Sequence, residues 1–464
     1  MSANSGIHFE VSERKVLLRI FDVLSMLLGL YLVGTIFNFE YFRITANNWE
    51  WIFVLIIYFI LLANVFELYD LQKSSKFETI FPDILIVSSI TTLLYLLTPF
   101  FTPVLPENRL QIVYFLFAIT ASVLLWRWAY IFFITSPVFN KRYVLVGNLP
   151  QIKLIHDVIV NTSHTSTVLG YYNLNPESDF PDDFPEMKQI DKGSLKEIVA
   201  KNKVSEVIIA HNGKGTFNKE LFQDLIALLE NGIPIREYAQ VYEELTNRVP
   251  VQYVGNEFYR YFPFSRTNKN RLYLFLNRVV DIFAGSLGML FCGICIPFIA
   301  LGNRIGSRGG LFYTQKRTGR NGVPFDIYKF RSMVVNAEAD GVKWAAENDT
   351  RVTPFGKFLR KSRLDEIPQF YNVLKGDMSL IGPRPERPEF VAELSTSFPF
   401  YETRHIVKPG ITGWAQVCIA YGASKEDSLK KLQYDLYYIK HRSFFLDIRI
   451  IVKTLSTVLF YRGR

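Results

Sequence analysis

Four long apolar stretches in the first third of the chain constrain its fold more than any other feature. They are Val23–Phe39, Trp51–Phe66, Ile84–Phe101 and Gln111–Trp126, the last continuing past Arg127 to Thr135. Each is close to the roughly 20 residues that an α-helix needs to cross a bilayer. Because four such stretches joined by short polar connections are hard to pack in a soluble domain, they predict a four-helix transmembrane bundle within residues 1–140.

Basic residues indicate which side of the membrane the ends of this bundle occupy. The loops of one side and the two ends carry Arg14, Lys15, Arg19, Lys73, Lys76, Lys141 and Arg142, whereas the alternate loops carry only Arg43 and Arg109. Lys and Arg accumulate on the cytoplasmic side of membrane proteins, so both ends are expected there. The first residues also lack the cleavage site of a signal peptide, which agrees with a cytoplasmic N-terminus.

Composition narrows the function classes. The 464 residues are 49% hydrophobic and 15% aromatic, which is high for a soluble protein, and their net charge of +9 suits lipid headgroups, phosphates or nucleic acid. No recognisable nucleic-acid-binding module occurs, so that partner is discounted. Three cysteines exclude a disulfide framework, and Cys292 and Cys295 lie in an apolar run where cysteine behaves as a small hydrophobic residue.

The region 141–245 has a different pattern, in which short β-rich runs alternate with amphipathic helical ones. This rhythm predicts a Rossmann-like α/β domain with a small parallel sheet. A dinucleotide site would need a glycine-rich turn after the first strand, but only Gly147 is present and Pro150 follows shortly after it. We therefore expect a structural or regulatory module that binds no nucleotide.

A fifth apolar stretch, Ile282–Asn303, follows a polar and aromatic connector at 246–270. Pro297 removes a backbone donor, so the helix should kink or break near Ile296. Such a helix could span the membrane with a kink, or enter and leave on one side. The polar and basic chain after Arg304 reads as cytoplasmic, and a cytoplasmic position for the residues before 282 would make the segment re-entrant.

Two adjacent carboxylates, Asp365 and Glu366, stand among many basic residues in the last third of the chain. Cations nearby should lower the pKa values of both and keep them ionised. An ionised carboxylate can attack phosphorus or supply an oxygen ligand to Mg²⁺. Arginine and lysine suit phosphate recognition, although each taken singly reads as a solvated surface charge. The pair alone is weak evidence, because most Asp-Glu pairs are surface charges.

Six sequence blocks give this pair its weight, because in this order they resemble the bacterial sugar transferase family. That family contains the polyprenyl-phosphate hexose-1-phosphate transferases of exopolysaccharide and O-antigen synthesis. The blocks are FYTQKRTG (312–319), YKFRSM (328–333), LDEIPQ (364–369), NVLKGDMSL (372–380), IGPRP (381–385) and KPGITGWAQ (408–416). The match is specific over 271–464 and looser before residue 270, where the chain looks like the large members of the family.

The resemblance implies a transferase that acts in two steps. Asp365 would attack the sugar-bearing phosphate of a UDP-sugar, UMP would leave, and undecaprenyl phosphate would then take the phosphosugar. Glu366 would hold Mg²⁺. Lys329, Arg331 and Arg384 are expected at phosphate or nucleotide, and Arg360 and Gln369 complete the expected substrate-binding set. Structural roles for the first three residues stay open.

The resemblance also implies a location and an architecture. The catalytic domain, 271–464, would be monotopic and α-rich, with a re-entrant membrane helix at 276–303 broken at Pro297, on the cytoplasmic side of the bacterial inner membrane. The stretch after the block KPGITGWAQ favours exopolysaccharide or capsule assembly. The transferred sugar stays open, and a homodimer is the expected assembly.

Two other function classes stay open. A membrane-anchored nucleotide-sugar dehydratase would need a dinucleotide loop beside a Tyr-x-x-x-Lys pair, and the spacing of Tyr371 and Lys375 is read as chance because that loop is missing. A non-catalytic scaffold would only dock on anionic lipid, so changing Asp365 to Asn would not affect it. His405 and His441 lack metal-like spacing, and packing is their expected role.

Overall fold

A computed structural model gives the architecture of the chain. It describes all residues except 1–10, 40–48, 71–73, 75–76, 99–100, 135–140, 163–165, 176–183, 185, 192–194, 212–216, 252–269, 307–308, 336, 338–348, 420–423 and 460–464. The predicted connector, 246–270, and the basic residues Arg43, Lys73 and Lys76 therefore lie largely or wholly outside the described part. The described residues form helices and small sheets.

The chain divides into two compact units. The first unit comprises residues 1–143, 159–168 and 203–205, and the second comprises 144–158, 169–202 and 206–464. The second unit holds the aspartate–glutamate pair. The domain boundaries predicted from the sequence stay predictions.

All four N-terminal apolar stretches are helical, as predicted. The helices are α1 (Val11–Phe37), α2 (Trp49–Val65), α3 (Phe77–Leu97) and α4 (Leu110–Ile134). Three of them are long and apolar enough to cross a membrane, and α2 is apolar but has only 17 residues. Their facing sides form one core that includes Met26, Phe59, Ile84 and Ile119.

Arg127 in α4 points into this bundle and does not reach its surface. Its Nε and Nη2 donate to the carboxylate of Asp22 at 2.8 and 2.5 Å, and its Nη1 donates to Ser74 Oγ at 3.2 Å. All three side chains are fully buried. A buried charge is stable only when it is paired, so this ion pair ties α1 to α4 and accounts for an arginine within an apolar helix.

The region that follows alternates strands and helices. The strands are β1 (Lys141–Gly147), β2 (Ser166–Asn173), β3 (Glu206–Ala210) and β4 (Ile235–Glu237), and the helices are α5 (Leu149–Thr162), α6 (Leu195–Lys201), α7 (Lys219–Glu230) and α8 (Tyr238–Thr246). The sheet has the order β2-β1-β3-β4, and β3 pairs with β4 in parallel. Gly147 ends β1 where a Cβ atom would lie 1.9 Å from Ala210 O, so close strand contact explains this lone glycine.

A 36-residue helix, α9 (Arg271–Gly306), opens the rest of the chain. It is the fourth helix that is long and apolar enough to cross a membrane. The helix continues through Pro297 without interruption, so the break that the proline predicted is not present. Gly288 and Gly302 let it pack closely, because a Cβ at either would lie 2.3 Å from the ring of Phe370 or Phe355.

Short elements follow α9 and carry the predicted site. An antiparallel hairpin joins β5 (Phe312–Thr318) to β6 (Pro324–Phe330), and a parallel pair joins β7 (Ser379–Ile381) to β8 (Gly410–Thr412). The helices are α10 (Pro354–Lys361), α11 (Gln369–Lys375), α12 (Pro388–Ser397), α13 (Trp414–Cys418), α14 (Lys425–His441) and α15 (Phe444–Leu459). Cys292 and Cys295 are free thiols on α9, and both pack in a hydrophobic cluster, as predicted.

Candidate active site

The aspartate–glutamate pair lies on a 3₁₀ turn, Leu364–Glu366, between α10 and α11. Thr353 caps the start of α10 by accepting a hydrogen bond from Gly356 N at 2.9 Å. Arg363 takes a left-handed backbone conformation, with φ of 59°, which ends α10 and turns the chain into the 3₁₀ turn. Side chains on such a tight turn diverge by about 120° from one residue to the next. Asp365 and Glu366 therefore face different surroundings.

Glu366 is surrounded by cations. Lys329 Nζ lies 3.0 Å and Arg384 Nη2 2.6 Å from Glu366 Oε1, and Arg363 Nη1 lies 3.9 Å from Oε2. Burial alone would raise the pKa of Glu366, but the charges of Arg384, Lys329 and Arg363 outweigh it and hold that pKa well below its ordinary value. Glu366 is therefore ionised, as the sequence predicted.

Asp365 has a contrasting environment. Its side chain is buried, and Oδ1 has no hydrogen-bond partner among the described residues. Burial and the negative charge of Glu366 raise its pKa to about 6, although Lys329, Arg360 and Arg363 oppose the rise. The expectation that cations lower the pKa of this carboxyl was wrong, because its loss of water outweighs their attraction. Near pH 7 it is still mostly ionised, and it is more basic than an ordinary aspartate.

Asn372 places Lys329 beside the pair. Its Nδ2 donates to Asp326 O at 2.7 Å, and its Oδ1 accepts from Tyr328 N at 3.2 Å. Asn372 is fully buried, so these two bonds fix β6 against α11. Asn372 lies in one of the six sequence blocks, but its residue type and spacing predicted no role for it.

Arg404 supports Arg384 in a similar way. Its Nη2 donates to Arg384 O at 3.0 Å and to Asp435 Oδ2 at 2.6 Å, and its Nη1 donates to Tyr401 Oη at 2.6 Å. Arg404 and Asp435 are both buried. This network holds the main chain from which Arg384 reaches Glu366. No local pattern could have revealed it, since Arg404 and Asp435 are far apart in the sequence.

The other predicted substrate-binding residues, Arg360, Gln369 and Arg331, differ in their contacts and in their relation to the aspartate–glutamate pair. Arg360 donates from Nε to Ser332 Oγ at 3.0 Å, and its charge acts on Asp365. Gln369 begins α11, is buried, and has Nε2 without a partner among the described residues. Arg331 donates from Nε to Gly310 O at 2.8 Å and lies over the ring of Tyr313. Among the described residues, Arg331 forms no hydrogen bond or ion pair with Asp365 or Glu366. What these three residues bind stays a prediction.

Asp365 and Glu366 offer the oxygen ligands that magnesium prefers, but two carboxylates do not complete its coordination. Within the part of the chain that the structure describes, no cluster of three or more His, Cys, Asp and Glu could hold a metal ion. Magnesium is commonly held by one or two carboxylates together with substrate phosphates and water. Asp365 Oδ1 is an open oxygen donor, whereas Glu366 Oε1 is already shared by two cations. The residues therefore fit the ion only together with phosphate ligands.

Within the described part of the chain, neither His405 nor His441 belongs to a group of three or more side chains that could hold a metal ion. Burial, and the nearby charge of Arg404, lower the pKa of His405 to about 4, so its ring is neutral near pH 7. His441 Nε2 lies 3.2 Å from Glu243 Oε2. Lys440 Nζ is also 2.7 Å from Glu243 Oε1. Their contacts agree with the packing and hydrogen-bonding roles expected of them.

Arginine and lysine side chains of the kind that surround Glu366 suit phosphate oxygens, and comparison with known proteins identifies the family. The family model described as bacterial sugar transferase matches residues 272–461, which contain every predicted site residue. A sugar transferase of Bacillus subtilis strain 168, of uncharacterised activity, is 37% identical over 194 residues, or 41% of this chain and 90% of that protein. The chain belongs to the bacterial sugar transferase family.

Relatives with named activities are similar over the same part of the chain. The UDP-N-acetylgalactosamine-undecaprenyl-phosphate N-acetylgalactosaminephosphotransferase of Aeromonas hydrophila is 43% identical over 229 residues, 49% of this chain and 52% of that protein. The UDP-glucose:undecaprenyl-phosphate glucose-1-phosphate transferase of Escherichia coli K12 is 41% identical over 188 residues, 40% of each chain. The similarity thus spans about half or less of these relatives.

Proposed function

We propose that this protein transfers a hexose-1-phosphate from a UDP-sugar to undecaprenyl phosphate, giving UMP and a polyprenyl diphosphate sugar. This reaction would begin repeat-unit assembly of an exopolysaccharide or capsule. The observation that carries the proposal is the buried oxygen of Asp365, which has no partner among the described residues, beside a glutamate that three cations hold ionised. The named relatives supply the substrate class, because both act on a UDP-sugar and undecaprenyl phosphate.

In the first step, a carboxylate oxygen of Asp365 attacks the phosphorus that carries the sugar. A bond forms between that oxygen and phosphorus, the bond from phosphorus to the UMP oxygen breaks, and UMP leaves as an anion. The raised pKa of Asp365, about 6, makes the carboxylate more basic than usual while leaving it ionised near neutral pH. The intermediate is an acyl phosphate in which the sugar phosphate is bonded to the carboxylate of Asp365.

In the second step, a phosphate oxygen of undecaprenyl phosphate attacks the same phosphorus. The new bond completes the diphosphate, the bond to Asp365 breaks, and the carboxylate is restored. Phosphorus carries negative oxygens throughout, so fixed positive charge beside it lowers the barrier of both steps. Lys329, Arg384 and Arg363 supply that charge around Glu366, and Arg360 supplies it beside Asp365.

Magnesium is part of this proposal. Glu366, with the diphosphate oxygens of the substrate, would hold the ion, which when bound offsets charge on the phosphates. Lys329 and Arg384 fix the position of Glu366, the residue that would hold the ion. Gln369 Nε2 is available to donate a hydrogen bond to the substrate.

The finer architecture is also proposed. The alternating α/β region would be a Rossmann-like module. Residues 276–303 of α9, which stay helical through Pro297, would enter and leave the membrane on one side by a kink at that proline. This segment would keep a monotopic catalytic domain on the cytoplasmic face of a bacterial inner membrane. The apolar length of α9 and the exposure of its side chains, among them Phe298 and Leu301, support residence in a membrane. A homodimer is the proposed assembly.

UMP release tests the reaction. Purified protein in neutral detergent is incubated with Mg²⁺, undecaprenyl phosphate and a panel of UDP-sugars, and wild type is compared with Asp365→Asn. Asp326→Asn is the matched control, because that carboxylate pairs with the exposed Lys316 on the surface hairpin. We expect release with at least one donor, its loss in Asp365→Asn and its retention in the control. Release that persists in Asp365→Asn would refute the covalent mechanism.

A further inference from the structure

A cavity of about 520 Å³ lies at the C-terminal end of α9, and the residues that line it have no role in the reaction described above. Ala300, Asn303 and Arg304 line it from α9, and Gly309 and Leu311 line it from the segment that leads into β5. A phosphate headgroup and its first isoprene unit fit within such a volume, which is in the range of small-ligand sites. The chemistry of its lining indicates which kind of ligand it accepts.

One guanidinium group, that of Arg304, lines the cavity, and a second, that of Arg331, lies beside the lining residue Gly309. Arg304 is exposed, in the last turn of α9, where the helix dipole also favours a cation. Arg331 packs on Gly309, since a Cβ built on that glycine would lie 2.9 Å from Arg331 Cδ, and its Nε donates to Gly310 O at 2.8 Å. Arginine is the residue best suited to phosphate oxygens. The cavity is therefore suited to an anionic group.

The part of α9 that leads to the cavity exposes apolar side chains. Leu301 adjoins Ala300 and is 65% exposed, and Phe298 and Ile294, further along α9, are 74% and 59% exposed. A cation-bordered cavity next to an exposed apolar helix face suits an amphiphile with an anionic head and a long hydrocarbon tail. A nucleotide sugar lacks such a tail.

The cavity is linked to the aspartate–glutamate pair through one hydrophobic cluster. Ile299, next to Ala300, and Leu311 pack in the same cluster as Leu364 and Ile367, which flank Asp365 and Glu366 in the sequence. The strand β5 begins directly after Leu311, and its Tyr313 pairs with Lys329. A ligand in the cavity would therefore lie on the same structural unit as the proposed nucleophile.

We propose that this cavity is the acceptor site, in which Arg304 and Arg331 hold the phosphate of the polyprenyl phosphate while its hydrocarbon chain lies along the exposed face of α9. The proposal rests on the proposed function. In the transfer, an oxygen of the held phosphate bonds to the phosphorus on Asp365, the bond from phosphorus to Asp365 breaks, and no proton is needed. This site accounts for the separation of Arg331 from the pair, because it serves the second substrate.

The two half-reactions test this assignment separately. The first is measured as the burst of UMP released without lipid acceptor, and the second as turnover against the concentration of undecaprenyl phosphate in neutral detergent micelles. For Arg304→Gln we expect the apparent KM for undecaprenyl phosphate to rise about tenfold, the usual effect of losing one charge-assisted hydrogen bond. The UMP burst and the KM for the UDP-sugar should stay within about twofold of wild type.

Two further variants make the test specific. Gly309→Ala should also raise the acceptor KM, because the added methyl group would displace Arg331. Lys316→Gln is the matched control, since Lys316 is a 66%-exposed cation on β5 that pairs with Asp326, and its acceptor KM should not change. An unchanged acceptor KM in Arg304→Gln, or an equal rise in the control, would overturn the acceptor site. Absence of any UMP burst in wild type would instead refute the proposed function itself.

Discussion

The buried pair of Arg404 and Asp435 offers a way to separate the stability of the catalytic unit from the positioning of Arg384. Arg404→Met removes three hydrogen bonds and leaves Asp435, which is only 2% exposed, without its cationic partner. Breaking a buried pair from one side costs about 3–5 kcal/mol. For a unit of this size, that corresponds to a fall in Tm of roughly 10 °C.

The pH dependence of this loss has a definite sign. Burial raises the pKa of Asp435 to about 6, and the charge of Arg404 opposes the rise. Without Arg404 the folded-state pKa rises further, so the folded protein binds the proton more tightly than the unfolded chain does. The destabilisation should therefore be smallest at about pH 5, where the carboxyl is protonated, and should grow towards about pH 8. Thermal unfolding in detergent, followed by circular dichroism, measures it.

A second substitution separates stability from activity. In Arg404→Met/Asp435→Leu no unpaired charge is left, and replacing both members of a buried pair with apolar residues is often neutral. We expect Tm to recover by at least half, whereas UMP release stays low because Arg384 O is still untethered. Lys316→Met, in an exposed pair, should change stability by less than about 0.5 kcal/mol. Full recovery of activity together with Tm would refute the positioning role, and an unchanged Tm in Arg404→Met would refute the stability argument.

Three further predictions follow from the site. Because burial, and the charge of Glu366, raise the pKa of Asp365 to about 6, single-turnover UMP release should fall as the pH drops through about 6, and an acid limb near the ordinary value of about 4 would contradict this. Chelation of Mg²⁺ with EDTA should abolish UMP release and re-addition should restore it, so release at the full rate in EDTA would remove magnesium from the proposal. Asn372→Leu should lower the unfolding free energy by about 1–3 kcal/mol, because Tyr328 N and Asp326 O lose their partner, and it should weaken binding of UDP-sugar through Lys329, as equilibrium binding can measure.

Local patterns in the sequence determined the elements and the chemistry available to them. Long uncharged runs predicted α1 to α4 and the apolar part of α9. A helix satisfies all its backbone hydrogen bonds within one segment, so an apolar run of this length can be recognised without knowledge of the rest of the fold. The adjacent carboxylates and the basic residues in the sequence blocks predicted a phosphate site, and Lys329 and Arg384 do lie against Glu366. The prediction of the helices succeeded because it depends on residue type and short spacing, whereas phosphate binding at this site stays a prediction.

The tertiary structure alone decided which role each of these groups has. The pKa of a carboxyl depends on the balance between its loss of water and the charges near it. Only the fold could therefore raise the pKa of Asp365 and lower that of Glu366. It also placed Arg331 against Gly309 and Gly310, which precede β5. Contacts such as Arg404 with Asp435 join residues far apart in the chain, and no local pattern constrains them. The sequence thus determined which groups the site can use, whereas the packing of distant segments determined what each group does.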